Sequence, residues 1–235
     1  MLTDDVVTGS LRLDAEKLRR FTRMTPSVIS ISQRQLPARL RVERFLEDAY
    51  GRAFGGRLRS HYPVLMGVWD AQGGLHAAAG FRFASDGPLF LEQYLDAPVE
   101  HAVAAVAGGR AERDGIAEIG NLASSSPGAS IFLFLALAGY LDRQGCRWAV
   151  ATATRQLRRI FGRAGFTTRK LAEARADALG PACSDWGSYY EQDPQVLAGE
   201  VGPSFGPLRR SLEAGPEACV PRFSRLHYRS DRAVP

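Results

Sequence analysis

A carboxylate in the middle of an apolar strand is the first residue in this chain that invites chemistry. Glu118 stands in the segment IAEIGNLA, residues 116–123. An unpaired charge there would cost several kcal/mol, so Glu118 must find a partner, hold its proton to higher pH or face a wet cleft. It could be the general base for an incoming amine, or orient that amine; a structural ion pair with an arginine is the alternative. Asn121 could donate to a substrate carbonyl or tie off a β-bulge beside Gly120. Glu92 and Gln93 interrupt the apolar run PLFLEQYL in the same way. Arg82, ending AAAGFR, could hold a substrate carboxylate bidentately or simply be a solvated strand end. Trp186, Ser188, Tyr189 and Tyr190 crowd the run DWGSYYE. As a strand, that run would send Trp186, Ser188 and Tyr190 to one face. Tyr190 could then act as a general acid, with an aromatic core strand as the alternative.

A second kind of site needs no reactive side chain. The segment Ser124–Ser130 holds small residues between a predicted strand and the apolar run Ile131–Asp142. Unpaired N–H groups at such a helix start attract anions, a pyrophosphate included. Leu122, Ala123, Ser126, Gly128, Ala129 and Ser130 are therefore the candidate cofactor contacts. Neither GxGxxG nor a lysine-bearing phosphate loop is present, and an ordinary strand–helix connection is the alternative. His61, His76, His101 and His227 are dispersed, and Cys146, Cys183 and Cys219 show no CxxC spacing. No metal centre is expected. Ser124–Ser126 lack the glycines of a nucleophile elbow, which argues against a serine hydrolase.

The elements that would position these residues follow from periodicity. SVISIS, residues 27–32, alternates as an edge or first strand. From Pro37, ARLRVERFLEDAYGRAF places Leu40, Val42, Phe45, Leu46 and Tyr50 on one helical face, and Gly55-Gly56 ends that helix. Two apolar runs around Gln72-Gly73-Gly74 predict a β-hairpin. Leu89–Leu95 reads as a short strand or loop, and Val99–Ala107 as a helix. Then come a strand from Ile116 to Ala123, the helix Ile131–Asp142, the strand Trp148–Ala153 and the helix Arg155–Arg163, capped by Thr154. Another strand starts at Phe166, and Asp185–Glu191 reads as the last. A mixed, twisted sheet flanked by helices, α/β (α+β), is the expected fold. Residues 1–25 would be an arm, 26–202 the domain and 203–235 an extension.

The helix RQLRRIFGRAGF, with Leu157, Ile160 and Phe161 inward, follows the strand–loop–helix in an order that resembles the C-terminal half of the GNAT acyltransferases. The alternative for Phe161 and Phe166 is a purely core role. Together RVERFLEDAYGRAFG, AAAGFR, PLFLEQYLDAPVE, IAEIGNLA, TATRQLRRIFGRAGF and WGSYYE resemble the thermostable hemolysin family over roughly residues 37–202. That family is grouped with GNAT-like folds, near the acyl-homoserine-lactone synthases. The resemblance implies an N-acyltransferase using a thioester on coenzyme A or on the phosphopantetheine arm of an acyl carrier protein. It places Glu92 and Tyr94 near the acceptor amine, and Phe161 beside the donor. The synthases carry Glu-x-Ser-Arg where this chain has Glu118-Ile119-Gly120-Asn121, and the missing Ser-Arg argues against a homoserine-lactone product. A membrane-active hemolysin, as the family name says, and an inactive GNAT-shaped binding protein are the rival readings.

Composition narrows the partners. The 235 residues are 45% apolar and 23% charged, which excludes a disordered or collagen-like chain. The net charge of +5 comes from 28 arginines and only two lysines, Lys17 and Lys170. This permits an anionic co-substrate without demanding nucleic acid. The eleven-residue run Ile131–Leu141 is short of the roughly 20 residues that a membrane span needs. No apolar leader opens the chain and its few cysteines are unpaired by spacing, so a reducing cytoplasm is expected. The expected form is a monomer or homodimer.

Overall fold

In the computed structural model, residues 28–32, 37–70, 72–125 and 127–202 are described. The predicted N-terminal arm, the extension 203–235, Ser126, Cys219 and His227 lie outside the described residues. Seven strands form one mixed sheet: β1 (Val28–Ser32), β2 (Val64–Trp69), β3 (Leu75–Phe83), β4 (Ile116–Ser124), β5 (Trp148–Ala153), β6 (Thr168–Glu173) and β7 (Gln195–Glu200). Their order is β1-β2-β3-β4-β5-β7-β6. The helices are α1 (Pro37–Phe54), α2 (Val99–Ala107), α3 (Pro127–Arg143) and α4 (Arg155–Arg163).

The β2–β3 turn has a visible cause. The Asp70 carboxylate accepts the N–H groups of Gln72 and Gly74 at 2.9 and 2.7 Å and meets His76 Nε2 at 2.6 Å. Gly73 takes the left-handed conformation, φ 79°, that the tight turn requires. On β4, adjacent residues face opposite sides. Ala117 joins the cluster under α3 with Phe81, Phe132 and Leu133, whereas Ile116 joins the cluster under α2 with Val99, Val103 and Trp148. A third cluster, built on Val42 and Leu46, seats α1.

Two irregularities position the site. The β3–β4 register runs Ala78↔Ala123 and then Gly80↔Gly120, so Asn121 and Leu122 together oppose Ala79. This is a bulge, and Asn121 sits in it at φ 48°. The parallel β4–β5 pairing runs only from Ile116↔Trp148 to Ile119↔Ala151. Beyond it β4 stays with β3 and β5 stays with β7 as far as Ala153↔Gln195. The sheet opens like a V between them.

Several expectations need correcting. Phe90–Tyr94 is a 3-10 turn, neither strand nor open loop. DWGSYYE is not a strand: it is split between 3-10 segments Ala176–Trp186 and Tyr189–Gln192, so alternation does not apply to Trp186, Ser188 and Tyr190. The backbone breaks at Gly187, φ 53°, where a Cβ would run into the carbonyl of Phe54. The last described strand is β7, buried through Val196, Leu197 and Ala198. Leu40 is 59% exposed rather than on the buried face of α1.

Candidate active site

The V between β4 and β5 is the floor of a cleft of about 1210 Å³. One wall is the bulged end of β4, Gly120 to Ala123; the other is Ala151 and Thr152, continued by Leu157, Ile160 and Phe161 of α4. Thr154 Oγ1 accepts the N–H of Leu157 at 3.4 Å and so starts α4 at the rim. Asn121 is buried, and its Nδ2 has no hydrogen-bond partner among the described residues. Its strained backbone and unspent donor both lie at the point where β4 loses its parallel neighbour. An apolar pocket opens off the cleft past Ile119, Leu122, Phe134 and Phe161, and runs inward to Leu137, Leu141 and Leu197. The rings of Phe134, Phe161 and Phe166 meet there at centroid distances of 5.4 to 6.0 Å.

The opposite end is aromatic. Phe90, Tyr94, Trp186, Tyr189 and Tyr190 line it, with Phe90–Trp186 at 5.5 Å and Trp186–Tyr190 at 6.1 Å. The Tyr94 and Tyr190 hydroxyls share a short hydrogen bond. Burial pushes both phenols well above their usual range, so both keep their protons at neutral pH.

Glu118 lies beneath this wall and is 1% exposed. Its two oxygens accept the N–H groups of Phe90 and Leu91 at 3.0 and 2.9 Å. Arg82 Nε stands 3.6 Å from Oε2, an ion pair too long to be a hydrogen bond. Burial raises the Glu118 carboxyl above its usual value, against the opposing pull of the two amides, Arg82 and Tyr62. Arg82 lies over the Tyr62 ring at 4.9 Å and reaches the carbonyl of Pro88 through Nη1 at 3.2 Å. Its Nε is buried without a hydrogen-bond partner among the described residues.

The structure brings Asn121, Arg82, Tyr94, Trp186, Tyr190, Leu122, Ala123, Ser130 and Phe161 to the cleft. It turns others away. Glu92 does not line the cleft: its carboxylate accepts from Arg113 at 2.7 and 2.9 Å and from the N–H groups of Leu89 and Val99. It is part of the scaffold that carries the aromatic wall. Ser188 is likewise structural, with its N–H and Oγ both on the carbonyl of Phe54. Gly128 and Ala129 are buried in the first turn of α3 and do not line the cleft. The loop before α3 is pinned by Ser125, whose N–H and hydroxyl both donate to the carbonyl of His76. Among the described residues no three His, Cys, Asp or Glu side chains gather as a metal site would require.

Glu92 gives a pH prediction. Arg113 first, then the two amides, hold its carboxyl down at about 2 against a usual 4.5. A depressed folded pKa contributes stability above the unfolded value and loses it as pH falls from about 4.5 toward 2. Wild type should exceed Glu92→Gln by about 2 kcal/mol at neutral pH, and urea titrations should show that margin vanish in acid.

Sequence reading missed Tyr62, which precedes β2 in SHYPVL. Its signal is a pair of glycines facing one another across β3 and β4, Gly80 and Gly120. Neither has a left-handed φ, but a Cβ on Gly80 would lie 2.7 Å from Tyr62 Cβ, and one on Gly120 would strike the Tyr62 hydroxyl. The two positions are empty because the ring fills them.

The same architecture occurs in solved enzymes. LasI, an AHL synthase, superposes with a TM-score of 0.55 at 14% identity, covering 80% of this chain and 96% of its own. TofI, solved in a ternary complex with an inhibitor and MTA, gives 0.54 at 15%, covering 78% and 96%. BjaI, a CoA-dependent acyl-homoserine lactone synthase solved with SAM and isopentyl-CoA, gives 0.54 at 14%, covering 78% and 88%. Among curated protein sequences none matches significantly. The thermostable hemolysin family matches residues 32–205. With about three quarters of its length inside that match, and a fold like that of these solved synthases, this chain belongs to the thermostable hemolysin family and has a GNAT-like fold.

Proposed function

We propose that the protein is an N-acyltransferase, moving an acyl group from a coenzyme A or carrier-protein thioester to a small-molecule amine. The observation that carries this reading is the V-shaped opening at the β4 bulge, with an apolar pocket on one side and a polar, aromatic wall on the other. The pantetheine arm would lie along the backbone edge of Leu122 and Ala123, with its phosphates toward Ser124, Ser125 and Ser130, which line the cleft. Backbone amides on that edge, with Asn121 Nδ2, would polarise the thioester carbonyl. The acyl chain would enter the pocket past Phe134 and Phe161; an apolar cavity stays dry and accepts apolar groups. The acceptor would sit against Phe90, Tyr94 and Trp186, any carboxylate it carries on Arg82. Tyr190, paired with Tyr94, would protonate the leaving thiolate. Catalysis is then mainly positioning, with no covalent intermediate. That a CoA-dependent synthase shares this fold supports a CoA donor, and a thioester made in the cytoplasm suits it.

The test is thiol release by the purified protein from octanoyl-CoA and octanoyl-carrier protein, with and without a panel of amino acids and other small amines. Release that needs both donor and amine is expected. Leakage of dye-loaded lipid vesicles without any thioester would instead favour the lytic reading. No helix among the described residues is long and apolar enough to cross a membrane.

A further inference from the structure

Acyl transfer to an amine needs a group that takes the amine's proton, and the cleft offers few. Neither Glu118 nor Glu92 lines it. Arg57, Arg59, Arg82, Arg159 and Arg163 do, but a guanidinium only donates. Burial drives Tyr50, Tyr62, Tyr94, Tyr189 and Tyr190 upward, so each phenol keeps its proton. Asp185 is spent on Arg59 at 2.7 Å, which holds its carboxyl down and makes it a poor base. Among the described residues that line the cleft, the side chain left to accept a proton is His61.

We propose that His61 is the general base that takes the proton of the acceptor amine, positioned by Glu47. The inference rests on the acyltransferase reading. His61 precedes β2, and its side chain is only 11% exposed. Its Nε2 meets Oε1 of Glu47, on α1, at 2.9 Å. A carboxylate only accepts, so Nε2 carries the hydrogen and Nδ1 of the neutral ring keeps a bare lone pair. That nitrogen is buried and has no hydrogen-bond partner among the described residues. A buried acceptor left unmet is costly, and the N–H of an amine in the cleft would meet it. The neighbouring residue, Tyr62, packs over Gly80 and Gly120 at the bulged end of β4, where the thioester is placed. Arg82, over the Tyr62 ring, would hold an acceptor's carboxylate on the same side.

The step balances. As the amine nitrogen forms its bond to the thioester carbonyl carbon, its proton passes to His61 Nδ1. The Glu47 carboxylate faces the imidazolium so formed, the part a carboxylate plays behind any histidine base. Collapse of the tetrahedral species breaks the C–S bond, and the thiolate takes a proton from Tyr190. The imidazolium releases its proton to solvent, and Tyr190 is reprotonated from solvent.

The experiment compares wild type with His61→Ala, Glu47→Ala and Glu47→Gln, using octanoyl-CoA and the amine identified by thiol release. His61→Ala should lower kcat by about 10²–10⁴-fold with KM little changed. Added imidazoles should restore part of that rate, the more basic ones restoring more, which a loosened fold would not show. Glu47→Ala should lose less than His61→Ala. Glu47→Gln should recover most of that loss, because its amide oxygen still accepts from Nε2. Wild-type kcat in His61→Ala overturns the base and leaves acyl transfer standing. Wild type without amine-dependent thiol release removes the acyltransferase reading and the base with it. A readout without turnover tests the dyad by itself. In ligand-free wild type, nitrogen NMR of the neutral His61 ring, assigned by its loss in His61→Ala, should show hydrogen on Nε2 and none on Nδ1. Hydrogen on Nδ1 with Nε2 bare overturns the proposal whatever the protein is found to catalyse.

Discussion

Glu118→Ala is expected to lower the free energy of unfolding by about 3–5 kcal/mol, the size of effect seen when one partner of a buried ionic cluster is removed. The Phe90 and Leu91 amides lose their acceptor, and each buried unmet N–H costs about 1–3 kcal/mol. Arg82 is left without its 3.6 Å counter-charge. Glutamine should lose less, because its one carbonyl oxygen can still accept an amide. The pH dependence runs opposite to that of Glu92. Burial raises the folded pKa of Glu118 above its usual 4.5, so its contribution is fully present below the unfolded value and declines as pH rises through the folded one. Urea unfolding at several pH values checks both claims: the margin of wild type over Glu118→Gln should shrink as pH rises. Unfolding of Glu118→Ala at the wild-type midpoint would remove Glu118 from the scaffold.

What was legible in the sequence follows from which signals are local. The hairpin, β4, β5 and α4 are each announced by their own residues: Gly73 for a left-handed turn, an apolar run too short for a helix, Thr154 for a cap. The end of the chain misled for the opposite reason. DWGSYYE has the aromatic content of a strand, but its rings are collected by tertiary contacts, Tyr189 against Phe54 at 5.2 Å and Trp186 against Phe90 at 5.5 Å. Aromatic enrichment reports burial, and burial does not require a strand. The true strand, QVLAGE, looks weak because Ala198 and Gly199 are poor strand formers. It is held by its place between β5 and β6, a fact that no window of sequence contains.

The site divides the same way. Glu118 and Asn121 stand out because a carboxylate and an amide interrupt an apolar strand. Glu92 shows the identical interruption and means something else, because Arg113, 21 residues away in sequence, claims it. Local pattern locates a buried polar group and says nothing about which neighbour satisfies it. Tyr62 escaped notice for a related reason. Its meaning lies in two glycines on other strands, and only the β3–β4 register, with its bulge, brings Gly80 opposite Gly120.

Replacing Tyr190 by phenylalanine should leave donor and acceptor binding intact and lower kcat by about 10²–10⁴-fold, the usual contribution of a general acid. The ring stays in its contacts with Trp186 at 6.1 Å and Tyr189 at 5.3 Å, so stability should change little. What is lost is a proton donor in the cleft, held by its pairing with Tyr94. Burial drives both hydroxyl pKa values upward, so neither ionises near neutrality and the pair always has a proton to give. A thiolate expelled into an apolar cleft is poorly solvated, which is the situation in which a neutral phenol assists departure. Tyr94→Phe should cost less, because the Tyr94 hydroxyl positions that of Tyr190 and the proton donor itself remains. Steady-state kinetics on the two variants checks the assignment: a larger loss of kcat in Tyr94→Phe than in Tyr190→Phe would make Tyr94 the acid.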